Sequence, residues 1–300
     1  MHKRTFWRIV FWISIIGAVL CVAVTVWYYW NRYQSAQKYD ALRQEVLEQS
    51  TDGAGADGTG NNSTGEGEDL SNPTLEQVEN AEFTGEREGP APKIPTEVLN
   101  DAQDNPVDFE KLQAINSELY AWIRIPGTQI DYPVAQHAGK EQQYYLHHDL
   151  YGNPQFVGCI FSQEPNALDF SDPVTVLYGH NMRNGSMFQN LHMFTQAGTF
   201  DKEHNYVYIY LPGKTLIYEI YSAYHYDNRN ILETFDFSDR EILTKYIEES
   251  LKPHSMAAMV KEGVTVTPDD KILTLSTCIA GAPSSRLLVQ AVLLYGKDEK

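Results

Sequence analysis

The chain has 300 residues, enough for one or two domains, and its 40 acidic against 23 basic residues give a net charge of −17 at neutral pH. Residues 45–104 contain 15 acidic and two basic residues, a net charge of −13, which leaves −4 for the rest of the chain. The acidity therefore belongs to one segment and not to a fold. Nothing in this balance points to nucleic-acid binding.

The N-terminus predicts a membrane anchor. An uncharged run of 22 residues, 9–30, follows the basic residues Lys3, Arg4 and Arg8. As a helix it would be roughly 33 Å long, enough to cross a hydrocarbon core of about 30 Å. The alternative to an anchor is a cleaved signal peptide. The run is longer than the hydrophobic region of such a peptide, and it ends in interfacial aromatic residues. We expect a single-pass protein of the cell membrane, with residues 1–8 in the cytoplasm and the rest outside.

The next segment, 31–104, predicts a spacer. Residues 34–49 are polar with good helix formers and are expected to continue the membrane helix for a few turns. Residues 51–72 are almost entirely Gly, Asn, Ser, Thr, Asp and Glu, so they cannot bury enough apolar surface to fold. Residues 74–95 stay acidic and contain proline. We expect a disordered acidic tether that holds an extracytoplasmic domain, 105–300, away from the membrane.

Two helices are predicted in that domain. Asp108 is a good N-cap for the first helix, and Leu112 lies on its apolar face. Ser238 and Glu241 form a capping box at the start of the second, longer helix, which Pro253 ends. Both would be separate from the membrane helix.

Eight short segments rich in β-branched and aromatic residues predict strands. They are 121–125, 130–134, 157–161, 174–178, 206–210, 216–224, 271–278 and 287–295. Shorter helical turns are predicted within 141–150 and 187–194. Many short strands with few helices indicate a mainly β fold with inserted helices, a closed or nearly closed eight-stranded barrel. The long helix falls between strands six and seven.

The ends of two predicted strands carry groups that could do chemistry. Strand seven runs into Cys278, and strand eight follows Arg286, with the turn-rich loop 279–285 between them. A nearby positive charge favours the thiolate, which is the nucleophile. A cysteine nucleophile also needs a proton-transfer partner, usually histidine. Of nine histidines, His180 is the one that ends a buried-type strand after a glycine, so it is the candidate partner.

The remaining cysteines and histidines give weaker signals. Cys21 lies in the predicted membrane span, and Cys159 is expected to be a small buried hydrophobe. Two cysteines outside the span do not make a disulfide scaffold, but the sequence leaves open a Cys159–Cys278 bridge that would abolish the chemistry. No Cys or His spacing matches a zinc pattern, so we expect no metal and no cofactor, and His147 and His148 are expected at the surface.

These motifs resemble those of one enzyme family. Thr274–Cys278 (TLSTC), followed by Arg286, resembles the T-L-x-T-C…R signature of sortases, and Leu177–Asn181 (LYGHN) is similar to their histidine motif. The segment 116–136 and the long helix before strand seven resemble class B members. The resemblance covers 106–295. One departure is that 279–285 has no acidic residue, which some class B members place after the cysteine.

The resemblance implies a sortase-like barrel and a cysteine transpeptidase of the Gram-positive cell surface. Cys278 would attack a Thr carbonyl in the C-terminal sorting signal of a secreted protein, a signal often of the N-P-x-T-x type in class B. His180 would act as general acid and base, and Arg286 would hold the substrate or stabilise the oxyanion. The acyl group would pass to an amine of a peptidoglycan precursor, which anchors the protein to the cell wall, or to a pilin lysine. Tentative substrate contacts are Tyr178, Asn181 and Ser276.

Two other classes of function remain open from the sequence. The first is a membrane-anchored cysteine hydrolase that transfers the acyl group only to water. The second is a non-catalytic binding module in which Cys278 is a buried core residue.

Overall fold

The computed structural model describes residues 2–47, 94–95, 98–99, 105–201, 205–255 and 257–298. The predicted tether segment 51–72 lies outside these residues, as does nearly all of 74–95. The chain forms two units, Met1–Glu45 and Val46–Lys300.

The first unit is helical. Helix α1, His2–Val46, covers the predicted span and ends three residues before the predicted end of the polar extension. Large apolar side chains along it are exposed, among them Ile13, Val19 and Val22 at 63 %, 61 % and 63 %. Within the residues described, no helix meets the length and hydropathy that crossing a membrane requires.

The second unit is a β-barrel that agrees with the predicted fold. Its strands are β1 Leu119–Arg124, β2 Asp131–Gln136, β3 Ile160–Ser162, β4 Val174–Tyr178, β5 Tyr206–Leu211, β6 Lys214–Asp227, β7 Met259–Val260, β8 Ile272–Ile279 and β9 Ala282–Asp298. The order β5-β1-β2-β3-β4-β8-β9-β6 closes on itself because β5 also pairs with β6. The two-residue β7 pairs with β6 outside this ring. The prediction of a closed eight-stranded barrel is confirmed, with one short extra strand.

In the described part of the barrel unit from residue 105 onward, the α-helices are α2 Phe109–Ile115, α3 Ile231–Thr234 and α4 Arg240–Leu251. Asp108 caps α2 as predicted, accepting from the Lys111 N–H at 3.0 Å. The predicted capping box at Ser238 is wrong. Asp239 is the N-cap of α4, and the Ser238 hydroxyl donates to Asp236 at 2.6 Å instead. Asp239 is the N-cap because its carboxylate accepts from the N–H groups of Glu241 at 2.8 Å and Ile242 at 3.4 Å.

The connections near the strand ends differ from the prediction in two ways. The helical turns within 141–150 and 187–194 are 3₁₀ helices, Tyr144–Leu146 and Phe188–Thr195. The predicted loop 279–285 is mostly strand, because β9 begins at Ala282. Only two residues separate β8 from β9, and one of them, Gly281, takes the positive φ of 77° that so tight a turn requires.

Candidate active site

Cys278 lies near the end of β8, where the strand leaves the core. The six strand residues before it are buried, whereas Cys278 is exposed. Its thiol forms no disulfide, and neither does that of Cys159, which is buried with its Sγ 3.7 Å from the Pro133 carbonyl oxygen. The possible Cys159–Cys278 bridge is therefore wrong, and so is a core position for Cys278. The expectation that Cys159 is a small buried hydrophobe is confirmed.

Arg286 lies directly opposite Cys278. The two residues are register partners in the antiparallel β8–β9 pair, just before a bulge between Cys278 and Ile279. Directly opposed residues have Cβ atoms about 4.5–5.5 Å apart and side chains on one face. The guanidinium is tied to its own hairpin, since it donates to the carbonyl oxygens of Pro283 at 3.0 Å and Ser285 at 2.9 Å. The structure thus places Arg286 across the strand pair from Cys278, at the strand end where the sequence predicts both residues.

His180 comes from the neighbouring strand. β4 runs parallel to β8, and their pairing ends with Tyr178 opposite Ser276 and a 3.1 Å bond from the Gly179 N–H to the Ser276 carbonyl. His180 follows Gly179, two residues beyond the end of β4, so it lies at the same rim of the sheet as Cys278. The half-buried ring stacks on exposed Phe156, with centroids 5.3 Å apart.

A backbone carbonyl, and not a carboxylate, orients the His180 ring. Its Nε2 lies 2.8 Å from the Leu146 carbonyl oxygen. A carbonyl can only accept, so Nε2 carries the proton and Nδ1 is the nitrogen left for proton transfer. Burial lowers the pKa of His180, the bond to Leu146 opposes this, and His147 lowers it further. The neutral imidazole is therefore favoured.

Gly179 allows this rim to pack. A Cβ at Gly179 would lie 2.5 Å from Ile160 Cδ1 and 2.8 Å from two ring atoms of Phe188. No real Cβ comes that close, so only glycine lets the 3₁₀ helix at 188–195 approach β4. The glycine that marked His180 in the sequence thus has a packing reason.

The cleft beside these groups has a volume of about 120 Å³. Tyr178, Ser276, Cys278 and Arg286 line it. The Tyr178 hydroxyl donates to Asn230 at 3.4 Å, and burial raises the pKa of that hydroxyl. Ser276 is 5 % exposed. Two of the three tentative substrate contacts, Tyr178 and Ser276, thus line the cleft.

The side chain of the third tentative contact, Asn181, bonds to the backbone of Cys278. Its side-chain Nδ2 donates to the Cys278 carbonyl oxygen at 2.9 Å. The Nε2 of His192 lies 3.1 Å from the same oxygen, although sequence reasoning gave His192 no role. Arg229, also overlooked, lines the cleft and is paired with Asp227 at 2.8 Å. No sequence pattern signals the bonds of Asn181 and His192 to the Cys278 carbonyl, because the fold brings these distant residues together.

Fold and site together define a class. A closed β-barrel that exposes a free cysteine beside an arginine, with a histidine at the next strand end, is the arrangement of an enzyme that uses a cysteine nucleophile. The model of the Sortase domain matches residues 123–294. The chain therefore belongs to the sortase family, and its relatives below place it in class B.

Two curated relatives are sortase B proteins. The chain is 33% identical over 178 residues to the one from Listeria monocytogenes and 29% identical over 170 residues to the one from Staphylococcus aureus. Each alignment covers 57% of this chain and 67% of the relative.

Solved structures agree. The crystal structure of Clostridium perfringens sortase B superimposes with a TM-score of 0.55 at 34% identity, covering 62% of this chain and 99% of that one. A substrate complex of Staphylococcus aureus sortase B gives a TM-score of 0.56 at 27% identity, covering 67% and 91%. The chain is accordingly a sortase-type cysteine transpeptidase, as the resemblance implied.

Proposed function

We propose that the enzyme cleaves a C-terminal sorting signal after Thr and joins the protein to an amine of a cell-wall precursor. The Cys278 thiolate attacks the Thr carbonyl carbon to give a tetrahedral oxyanion. The C–N bond breaks, the leaving amine takes a proton from His180, and a thioester to Cys278 remains. The acceptor amine then attacks the thioester and loses its proton to His180, and the C–S bond breaks to return the thiolate.

One observation carries this proposal: an exposed free thiol with Arg286 directly across the strand pair and His180 at the adjacent strand end. The Arg286 guanidinium is already positioned by two carbonyl oxygens of the hairpin, so little reorganisation is needed to receive an oxyanion or a substrate carbonyl. Within the described residues no carboxylate bonds to His180, so the Leu146 carbonyl takes the orienting role.

The test is mass spectrometry of the full chain in detergent with a peptide containing N-P-Q-T-N and an amine acceptor. We expect a thioester adduct on Cys278 and a product joined at Thr, both absent in Cys278→Ala. Cleavage by Cys278→Ala would overturn the assignment of the nucleophile. An adduct that is released only to water, even with added amine, would favour a hydrolase.

The acceptor and the signal are tested in the same assay. A product formed with a pilin-lysine peptide and none with a peptidoglycan-type amine would replace wall anchoring by pilin polymerisation. No adduct, while Cys278 still reacts with thiol reagents, would reject the N-P-x-T-x signal and keep the nucleophile.

We also propose that α1 anchors the enzyme in the membrane with the barrel outside the cell. Phe11, Trp12 and Ile13 are 61–63 % exposed, and because successive helical residues point about 100° apart, α1 carries exposed apolar side chains on every side. A helix apolar on all sides is favoured in lipid, and residues 9–30 contain no charge. An anchored enzyme would share a thin layer with a membrane-linked substrate and acceptor, which raises their effective concentration.

A further inference from the structure

The carbonyl oxygen of Cys278 has lost its strand partner. Along β8, the Ser276 carbonyl still accepts from the Gly179 backbone of the β4 strand end. Two residues on, the Cys278 carbonyl points the same way, but the β4–β8 pairing has ended at Tyr178. The side chains of Asn181 and His192 converge on this oxygen instead, at 2.9 and 3.1 Å. A carbonyl oxygen has two lone pairs, and these two donors use both.

The loop after His180 delivers both donors. Asn181 forms a single bridge with Met187, and the Phe188 N–H bonds back to the His180 carbonyl at 2.9 Å. The 3₁₀ helix that follows is fixed in the core by Phe188 and Leu191, both fully buried. His192 comes next and is half-buried. One packed unit therefore places His180 and both donors around the nucleophile.

His192 acts through a hydrogen bond and not through proton transfer. Its Nε2 must carry a proton because the carbonyl can only accept, so this nitrogen is not free to act as a base. Burial lowers the pKa of His192, nearby His225 lowers it further, and the bond to Cys278 opposes them. The neutral ring still supplies the donor, so the bond persists through neutral pH.

We infer that His192 and Asn181 are positioning residues that fix the Cys278 peptide and so aim its thiol at the substrate carbonyl. The need for them follows from where Cys278 lies: at a bulge, next to a two-residue turn, at an exposed strand end. Backbone at such a position frays unless its polar groups are held. A displacement of about 1 Å at a reacting group can cost about 100-fold in rate. The inference rests on the proposed role of Cys278 as nucleophile.

The experiment compares variants that differ in one donor. His192→Gln keeps an N–H donor, whereas His192→Met has a similar size and no charge but no donor. Asn181→Leu removes the other donor at similar size. For the full chain in detergent, kcat and KM for the sorting-signal peptide are measured together with the rate of Cys278 alkylation by iodoacetamide. His225→Leu is the matched control, because it removes the neighbouring imidazole and leaves both bonds to Cys278.

We expect His192→Met and Asn181→Leu each to lower kcat about 5- to 10-fold and the double variant about 100-fold, with KM within about twofold. His192→Gln should recover most of the loss, and His225→Leu should match the wild type. Alkylation should fall in the same order, and it needs no sorting signal, so failure of the proposed substrate would not affect it. The inference would be overturned if His192→Gln, His192→Met and the wild type had equal kcat and equal alkylation rates. A rise in KM with no change in kcat would overturn it as well. If thermal melting shows that the double variant is unfolded, the comparison of His192→Gln with His192→Met decides the test.

Discussion

At the scale of single residues, the chemistry of His180 is set by its solvation. The ring is half-buried, its Nε2 is bonded to a carbonyl that bears no full charge, and the histidine His147 acts on it through its charge. Burial and His147 disfavour the imidazolium, and only the hydrogen bond to Leu146 favours it. The pKa of His180 therefore lies below the usual 6.5. The protonated acid that the leaving amine needs is therefore a minority form at neutral pH. We therefore expect slow turnover.

The pH profile tests this account. The active form has a Cys278 thiolate and a protonated His180. As the pH falls through the pKa of His180, the form with a protonated His180 and a neutral Cys278 thiol replaces it, and activity is lost. We therefore expect the acid limb of kcat/KM to lie below pH 6.5. Phe156 covers the ring and is itself 57 % exposed. Phe156→Ala should let water reach His180, raise its pKa toward 6.5 and move the acid limb upward. Leu168→Ala, an exposed apolar side chain that does not line the cleft, is the control. An acid limb that stays in place in Phe156→Ala would contradict desolvation as the cause.

At the scale of elements, the site depends on how closely one 3₁₀ helix approaches one strand. β4 ends at Tyr178, and the chain then turns at Gly179 into the loop that leads to Phe188–Thr195. Phe188 packs where the Cβ of any other residue at 179 would lie. This contact, together with the bond from the Phe188 N–H to the His180 carbonyl, holds the helix that bears His192 against the His180 rim.

Gly179→Ala should therefore cost stability and activity together. A methyl group 2.5–2.8 Å from Ile160 and Phe188 forces the packed elements apart, and overpacking of this kind costs about 1–3 kcal/mol. Denaturant unfolding measures the loss of free energy, and kcat should fall because His192 moves with the helix. Phe188→Leu in the Gly179→Ala background makes room and should restore part of both. If Gly179→Ala had the same free energy of unfolding and the same kcat as the wild type, the 3₁₀ helix would pack less closely against β4 than the structure indicates.

The start of helix α4 allows a second test, on its N-cap. Asp239→Ala removes the acceptor of the Glu241 and Ile242 N–H groups and should lower the free energy of unfolding by about 1 kcal/mol. Ser238→Ala removes only an exposed bond to Asp236 and should change it by less than about 0.5 kcal/mol. Thermal melting of the two variants compares them directly. A larger loss in Ser238→Ala would restore the capping box that the sequence pattern predicts.

At the scale of the whole molecule, the sequence predicts features that depend on local pattern and misses those that depend on the fold. Period-two alternation and turn residues were enough for the eight barrel strands, and strand ends were enough to bring Cys278, Arg286 and His180 to one rim. The contact of His180 with Leu146 spans 34 residues, and those of Asn181 and His192 with Cys278 span 97 and 86. No short-range pattern encodes such pairs. The shift of the α4 cap by one residue is a local error of a different kind, since adjacent Ser and Asp both make good caps.

The charge distribution and the N-terminal helix lead to the last prediction, the attachment to the membrane. If residues 9–30 span the bilayer, the full chain should stay with the membrane fraction in carbonate and high salt and be released only by detergent. Protease added to intact cells should remove the barrel while leaving an N-terminal fragment. Val19→Lys combined with Leu20→Lys places two charges at the middle of the span, each costing about 2.5–3.5 kcal/mol there.

The doubly charged variant should shift to the soluble fraction, while Ser14→Ala, in the same helix, should not. If carbonate alone extracted the wild-type chain, α1 would be a peripheral or signal-like segment and not a membrane-spanning anchor. The enzyme would then lack the confinement that brings substrate and acceptor into one layer. Its kcat/KM for a soluble peptide would be unchanged by that result, because the cleft, the thiol and the donors to Cys278 all lie within the Val46–Lys300 unit. Attachment and chemistry are therefore separable, and each can fail without the other.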